Sequence, residues 1–226
     1  MKKIFLDYGI NLSEKEVKSF EDYFNILIEY NNKFNLTAIT EKEQVIYKNF
    51  LDSVIFKDFI TGKTHIDIGS GGGFPAIPLK IVKPDLKTTL LEATGKKCEF
   101  LNVLTKTLNL DNVTVLNGRA EDFAVKKEYR ESFDVCTARA VARLNILTEY
   151  CLPFVKVGGV FVAYKAQAEE EIKEAESSIK ILGGKIKDVV TVQIQDFTRT
   201  AVIIEKIKST DLKYPRSNAQ IRKKPL

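Results

Sequence analysis

The segment that most constrains the fold is DIGSGGGFPAIP, residues 67–78, which places four glycines within five positions. It follows the apolar run THIDI, which has the alternation of a buried strand, and it precedes PAIPLKIV, which is typical of a helix start. A strand, a glycine turn and a helix together form a site where a ligand lies against the backbone. The glycines follow the pattern D-x-G-x-G-x-G, from Asp67 through Gly69 and Gly71 to Gly73.

Downstream of the glycine segment, short apolar runs alternate with segments of helical period. The runs are TTLLEA, VTVLN, FDVCTA and GVFVAYK, and the helical segments occupy residues 75–82, 95–108, 140–156 and 168–182. This alternation predicts an α/β fold with a doubly wound, mostly parallel sheet. Two last runs, VVTVQI and TAVIIEKI, have no helix between them and predict an antiparallel pair at the sheet edge.

Two amphipathic helices precede the first predicted strand, and capping-box patterns begin them at Ser13 and Thr40. We therefore expect a helical extension over residues 1–62, packed on a core over residues 63–208. A basic tail over residues 209–226 completes one structural domain.

The composition of the chain indicates its cellular compartment and limits the kinds of site it can form. No apolar run is long enough for a membrane span or a signal-peptide core, so we expect a cytoplasmic protein. Cys98, Cys136 and Cys151 are far apart and lack C-x-x-C spacing, which predicts neither disulfides nor a metal site. No long apolar stripe requires a partner subunit, so a monomer is expected.

The residues that follow the glycines distinguish this segment from two common nucleotide-binding motifs. A triphosphate-binding loop would need a lysine and a hydroxyl where Phe74 and Pro75 stand. A dinucleotide fingerprint would need its third glycine at Phe74. The sequence therefore disfavours both a triphosphate site and a dinucleotide site. Because a nicotinamide-dependent oxidoreductase needs a dinucleotide site, that class of enzyme is disfavoured as well.

Acidic residues follow the next two predicted strands. Glu92 ends TTLLEA, 21 residues after Gly71, where a carboxylate can accept hydrogen bonds from both ribose hydroxyls. Glu121 follows VTVLN and can meet the exocyclic amine of adenine, whereas helix capping by Asp122 is the alternative reason for an acidic step there. A glycine loop, a ribose acceptor and an adenine acceptor describe a site for a nucleoside without pyrophosphate, such as S-adenosylmethionine.

Several segments, in their order, resemble one known family. They are DIGSGGGFPAIPLKI, GRAEDF, FDVCTARAVARL, LPFVKVGGVFVAYK and KYPRSNAQIRKKPL, with NKFNLTAI upstream. Over residues 25–226 they resemble the bacterial small-subunit (16S) ribosomal RNA guanine-N7 methyltransferase family. The resemblance implies a class I S-adenosylmethionine-dependent, Rossmann-like fold, an RNA substrate, and cofactor contacts from Gly69, Phe74, Ala120, Glu121 and Arg139. From the loop and strand-end positions we add Gly71 and Glu92.

Guanine N7 carries a lone pair and no proton, so its methylation needs no general base. We expect the enzyme to act by positioning, with Arg139 as the catalytic residue placed against the cofactor or the base. Pairing of Arg139 with Glu121 or Asp122 is the alternative. The chain departs from the family pattern at Asn49, where members commonly have histidine. The only histidine, His65, lies in the first strand run and is expected to be a core or edge residue rather than a catalytic one.

The basic tail suits an RNA partner. Residues 206–226 hold seven lysines and arginines against one aspartate, in a chain of formal net charge +5. A solvated, disordered end is the ordinary interpretation, and contact with RNA phosphates is the functional one. Candidate RNA contacts there and at two strand ends are Lys165, Arg199, Lys213, Arg216, Arg222, Lys223 and Lys224. A small-molecule methyltransferase and a noncatalytic RNA-binding protein on the same scaffold remain alternatives.

Overall fold

The computed structural model describes all 226 residues and is built on one seven-stranded sheet, in the order β3-β2-β1-β4-β5-β7-β6. Strands β1 to β5 pair in parallel, while β7 runs antiparallel to both β5 and β6. The predicted doubly wound sheet and its antiparallel edge are therefore confirmed. The strands are β1 Thr64–Ile68, β2 Lys87–Glu92, β3 Val113–Asn117, β4 Phe133–Arg139, β5 Val155–Lys165, β6 Gly184–Ile194 and β7 Phe197–Lys206.

Ten α-helices surround the sheet, and none is both long and apolar enough to cross a membrane. They are α1 Lys2–Asp7, α2 Glu14–Phe34, α3 Lys42–Val45, α4 Asp52–Val54, α5 Ala76–Val82, α6 Gly95–Thr107, α7 Ala120–Ala124, α8 Leu144–Cys151, α9 Glu169–Ile181 and α10 Asn218–Lys223. A π-helix, Ile46–Leu51, joins α3 to α4, and 3-10 turns lie at Lys57–Phe59 and Leu152–Phe154.

The predicted helix over residues 140–156 is shorter in the structure. Helix α8 starts at Leu144 and ends at Cys151, and a 3-10 turn containing Pro153 follows before β5 begins. Proline has no backbone N–H and clashes with the preceding turn, so the α-helix cannot continue through it. The other three predicted core helices start and end within one residue of α5, α6 and α9.

The two capping-box predictions have opposite outcomes. Ser13 caps α2 as predicted, because its hydroxyl accepts from the Glu16 N–H and the Glu16 carboxylate accepts from the Ser13 N–H. The prediction at Thr40 is wrong, since α3 is capped by Glu41, whose carboxylate accepts from the N–H groups of Glu43 and Gln44. A carboxylate there satisfies two free donors and complements the helix dipole.

Two apolar layers cover the faces of the sheet. On β4, Val135 belongs to the layer that contains the N-terminal helices, while the adjacent Cys136 belongs to the layer that contains α8 and α9. This is the two-residue period of a strand buried on both faces. The N-terminal helices join their layer through contacting aromatic rings, including Phe20 tilted against Phe50 at 5.0 Å between centroids.

Candidate functional site

The first cleft of the site lies at the carboxyl ends of β1, β2 and β3, beside the point where strand order reverses between β1 and β4. It has a volume of about 410 Å³. Open α/β sheets bind ligands at such a switch point. Gly69, Glu92, Ala120 and Glu121 line it, so the structure brings together four of the residues that the sequence predicted for the cofactor.

The glycine loop after β1 is held closely on two sides. Gly69 adopts a positive φ of +72°, and a Cβ there would lie 2.7 Å from a methyl group of Val141. Gly73 has a φ of +93°, and its Cβ would lie 2.6 Å from the Tyr23 hydroxyl. Tyr23 also donates a hydrogen bond to the carbonyl of Gly72. Helix α2 of the N-terminal extension therefore fixes the loop, a role of Tyr23 that no sequence pattern indicated.

Glu92 ties the glycine loop to the end of β2. Its carboxylate accepts from the Gly71 N–H at 2.9 Å and from the Thr94 N–H at 2.8 Å, and the residue is only 6% exposed. A carboxylate has about four lone-pair directions, so two remain for a ligand in the cleft. This geometry fits the predicted ribose acceptor.

Ala120 and Glu121 form the first turn of α7, which follows β3. The N-cap of this helix is Arg119, and no side chain caps it by a hydrogen bond. The alternative interpretation of Asp122 as the capping residue is therefore wrong, and the Glu121 carboxylate remains on the cleft wall.

A second cleft, of about 550 Å³, adjoins the first and shares Ala140 and Val141 with it. Arg139 lies here, where its guanidinium donates to Asp52 at 2.8 Å, Asn49 Oδ1 at 3.1 Å and the Lys48 carbonyl at 3.1 Å. The pairing of Arg139 with Glu121 or Asp122 that was considered from the sequence is not observed.

Phe74 and Asn49 support this arginine from two directions. The Arg139 guanidinium lies 4.9 Å from the ring centroid of the buried Phe74, which stacks on Tyr23. Asn49 is 4% exposed and its Nδ2 has no partner. At the position where the family commonly has histidine, Asn49 thus supplies its Oδ1 as a hydrogen-bond acceptor for Arg139. Phe74 and Arg139 line no part of the first cleft, and cofactor contact by either stays a prediction.

Two other cations of the second cleft, Arg199 and Lys165, also lie beside carboxylates. Arg199 Nε lies 3.1 Å from Asp52, which is 1% exposed, and its guanidinium stacks over the Phe197 ring. Lys165 contacts Glu171 at 2.7 Å and has a side chain only 9% exposed. Lys165 and Arg199, predicted as RNA contacts, thus lie in the second cleft beside carboxylates, and Asp52 is shared between Arg199 and Arg139.

The C-terminal tail is an ordered, docked segment, which contradicts the interpretation of a disordered end. Arg216 binds both oxygens of Glu149, at 2.7 and 2.9 Å, and Glu149 is fully buried. Arg130 donates to the carbonyls of Thr210, Asp211 and Tyr214. The pair with Glu149 holds the half-buried Arg216 against the protein. Arg222 is exposed on the wall of the first cleft, and the other predicted cations that remain exposed are Lys213, Lys223 and Lys224.

A buried polar chain lies beneath the glycine loop. His65 Nε2 is 2.8 Å from the Thr137 hydroxyl, which donates to Asp67 Oδ1 at 2.6 Å, so Nε2 carries the imidazole proton. Burial lowers the pKa of His65 to about 3 and raises the pKa of Asp67 to about 7. The prediction of a core histidine is confirmed. The second Asp67 oxygen has no partner.

Comparison with known proteins agrees with this architecture. The family model of rRNA small subunit methyltransferase G matches residues 16–201. Ribosomal RNA small subunit methyltransferase G of Lactobacillus johnsonii is 47% identical, over 97% of this chain and 95% of its own length. The protein of that name from Clostridium kluyveri is 44% identical, over 100% of this chain and 97% of its own length.

Solved structures share the fold at low identity. The O-methyltransferase from Bacillus cereus in complex with SAH has a TM-score of 0.59 and 17% identity, covering 81% of this chain and 90% of its own. TYW2 from M. jannaschii in complex with AdoMet has a TM-score of 0.55 and 18% identity, covering 75% of this chain and 80% of its own. The fold is that of class I S-adenosylmethionine-dependent methyltransferases.

Proposed function

The chain belongs to the rRNA small subunit methyltransferase G family, and we propose that it methylates N7 of a guanine in small-subunit ribosomal RNA. It is a methyltransferase, and S-adenosylmethionine is its methyl donor. The observation that supports the proposal is the pair of adjoining clefts. One has the polar groups for a nucleoside cofactor, and the other opens beside it across Ala140 and Val141.

The first cleft fits the cofactor on structural grounds. Glu92 presents free lone pairs for ribose hydroxyls, and Glu121 presents a carboxylate for an adenine amine. Gly69 exposes only backbone to the cleft, and its positive φ and its contact with Val141 leave no space for a side chain there. When bound, the cofactor supplies a methyl group activated by its sulfonium. Gly71 contributes through its N–H bond to Glu92.

The second cleft holds the residues for positioning. Because N7 has no proton to lose, the protein must orient the base rather than deprotonate it, and orientation of reactants contributes about 7 to 11 kcal/mol in favourable cases. Arg139 suits this task, because Asp52, Asn49 and the Lys48 carbonyl fix its guanidinium from one side and Phe74 from another. Its side chain is still 16% exposed.

The RNA backbone is proposed to meet the exposed tail cations Lys213, Lys223 and Lys224, since lysines bind phosphates with release of counterions. Tyr214, half-buried between them, offers an aromatic face for a base. Lys165 and Arg199 line the second cleft, where a base would enter. We further propose a cytoplasmic monomer organised as a helical extension, a core and a tail in one domain.

The test is transfer of labelled methyl groups to small ribosomal subunits from a strain that lacks this gene, with wild-type subunits in parallel. Label should enter the deficient subunits alone and map to guanine N7. The Arg139→Ala enzyme should lose roughly 100-fold in rate, because misplacement by about 1 Å has that effect. Lys18→Ala, an exposed change on α2, is the control. Cofactor binding without transfer would instead indicate a small-molecule substrate or a noncatalytic RNA-binding role.

A further inference from the structure

Helix α10 in the C-terminal tail brings two side chains to the wall of the first cleft. Asn218 and Arg222 lie four residues apart, hence on one face of the helix, and both line the cleft. Ile221, between them in sequence, is fully buried in the apolar layer that contains α8. The helix is thus oriented with one side in the core and another toward the cleft.

A hydrogen bond to Tyr150 of α8 holds Asn218 in place, and Arg222 lies beside the same tyrosine. Asn218 Nδ2 donates to the Tyr150 hydroxyl at 2.7 Å. Burial raises the pKa of Tyr150, and the Arg222 guanidinium, beside the same hydroxyl, acts in the opposite direction. Glu149, which precedes Tyr150 on α8, is buried and pairs with Arg216. This pair anchors the chain just before α10 begins. This wall is therefore formed in the protein alone.

Tyr150 also shows which end of the cleft the wall closes. Arg119 is the N-cap of α7 and Glu121 lies in its first turn, and the charges of both act on the Tyr150 hydroxyl together with that of Arg222. This is the end of the cleft where Glu121 is placed to meet adenine. Glu92 and the glycine loop lie at the ends of β2 and β1.

Adenine presents an amine donor and several ring-nitrogen acceptors. Glu121 matches the donor, but a carboxylate cannot match the acceptors. The Asn218 amide and the Arg222 guanidinium supply N–H donors, and the planar guanidinium also stacks on aromatic rings. From this complementarity we infer that Asn218 and Arg222 bind the adenine of S-adenosylmethionine, an assignment that rests on the proposed cofactor site. Arg222 then serves the cofactor and not the RNA.

The test is calorimetric binding of two ligands to the full chain, S-adenosylhomocysteine and 5′-methylthioadenosine, which share the adenosine and differ in the amino-acid portion. Arg222→Ala should weaken both by about tenfold, the loss of one charge-assisted hydrogen bond. Lys224→Ala removes the same charge from an exposed site two residues away and should leave both dissociation constants unchanged. Arg222→Lys, which keeps the charge but not the planar fork, should weaken both ligands as well.

Melting temperatures without ligand separate a binding role from a structural one. Arg222 is exposed, so the melting temperature of Arg222→Ala without ligand should equal that of the unmodified protein. Equal losses in the Arg222→Ala and Lys224→Ala proteins, or a loss for S-adenosylhomocysteine alone, would overturn the adenine assignment. So would unchanged binding by Arg222→Ala while the unmodified protein binds both ligands. Failure of the unmodified protein to bind either ligand would overturn the proposed cofactor site itself.

Discussion

The two adjoining clefts hold their carboxylates in different ways. In the first, Glu92 is held by backbone N–H groups, and in the core beneath it Asp67 is held by a threonine hydroxyl. In the second, Asp52 lies between Arg139 and Arg199. Backbone donors leave a carboxylate its charge and its lone pairs for a ligand, whereas arginine partners neutralise it and are themselves oriented. The first cleft, proposed for the cofactor, thus has carboxylates free to accept hydrogen bonds, and the second, proposed for the substrate, holds arginines.

The largest effect is expected on the pH dependence of the free energy of unfolding, because the Asp67 carboxyl is buried with no cation bound to it, unlike Asp52. Burial raises the pKa of Asp67 from 3.8 to about 7, so its contribution to stability is lost as pH rises through that interval. Burial lowers the pKa of His65 from 6.5 to about 3, so its contribution is lost as pH falls through that interval. Between about pH 4 and 6.5 the two effects oppose each other.

Asp67→Asn should remove one of these two effects. The free energy of unfolding should then rise with pH by about 1.4 kcal/mol per unit between pH 4 and 6.5, from His65 alone. Between pH 4 and pH 8, the free energy of unfolding of the variant should increase relative to that of the unmodified protein by roughly 4 kcal/mol. Urea unfolding across this range measures both, with Asp58→Asn, a mostly exposed site, as the control. Parallel pH profiles for the two proteins would show that Asp67 is ionised in the folded state.

A smaller effect is expected from Glu92→Gln in the first cleft. The amide keeps the shape but loses the charge and one acceptor, so the Gly71 and Thr94 N–H groups and the ribose hydroxyls compete for fewer lone pairs. Affinity for S-adenosylhomocysteine should fall about tenfold. The rate at saturating cofactor should change little, the opposite of the pattern expected for Arg139→Ala.

Glu43→Gln, on an exposed acidic residue of α3, is the matched control for this variant. Cofactor affinity that stays the same in Glu92→Gln would mean that this carboxylate only fastens the glycine loop. Loss of affinity in Arg139→Ala as large as in Glu92→Gln would mean that the two clefts do not divide the work between cofactor and substrate.

The difference between the two clefts also explains which parts of the site could be predicted from the sequence. The fold and most of the first cleft depend on local patterns: strand alternation, glycines directly after β1, and carboxylates at the ends of β2 and β3. The second cleft depends on pairs between distant residues. Arg139 and Asp52 are 87 positions apart, and Arg216 and Glu149 are 67 apart. Composition reports such cations as free charge, because only the folded chain brings their partners to them.

The smallest effect concerns the cations that stay unpaired at the tail. The double variant Lys223→Gln and Lys224→Gln keeps Asn218 and Arg222, which a deletion of the tail would remove together with the lysines. If both lysines contact phosphates, the slope of log affinity against log salt should fall in magnitude by about 1.4 to 1.8, with only a modest loss of affinity. Filter binding of gene-deficient small subunits over a salt series measures this slope.

Lys15→Gln with Lys18→Gln removes two exposed charges from α2 and serves as the matched control. Equal slopes for the two double variants would mean that the tail lysines act only through net charge. A change confined to the tail variant, with unaltered affinity for S-adenosylhomocysteine, would separate the two functions of this short segment. Its buried and cleft-facing residues would then serve the cofactor, and its exposed lysines would serve the RNA.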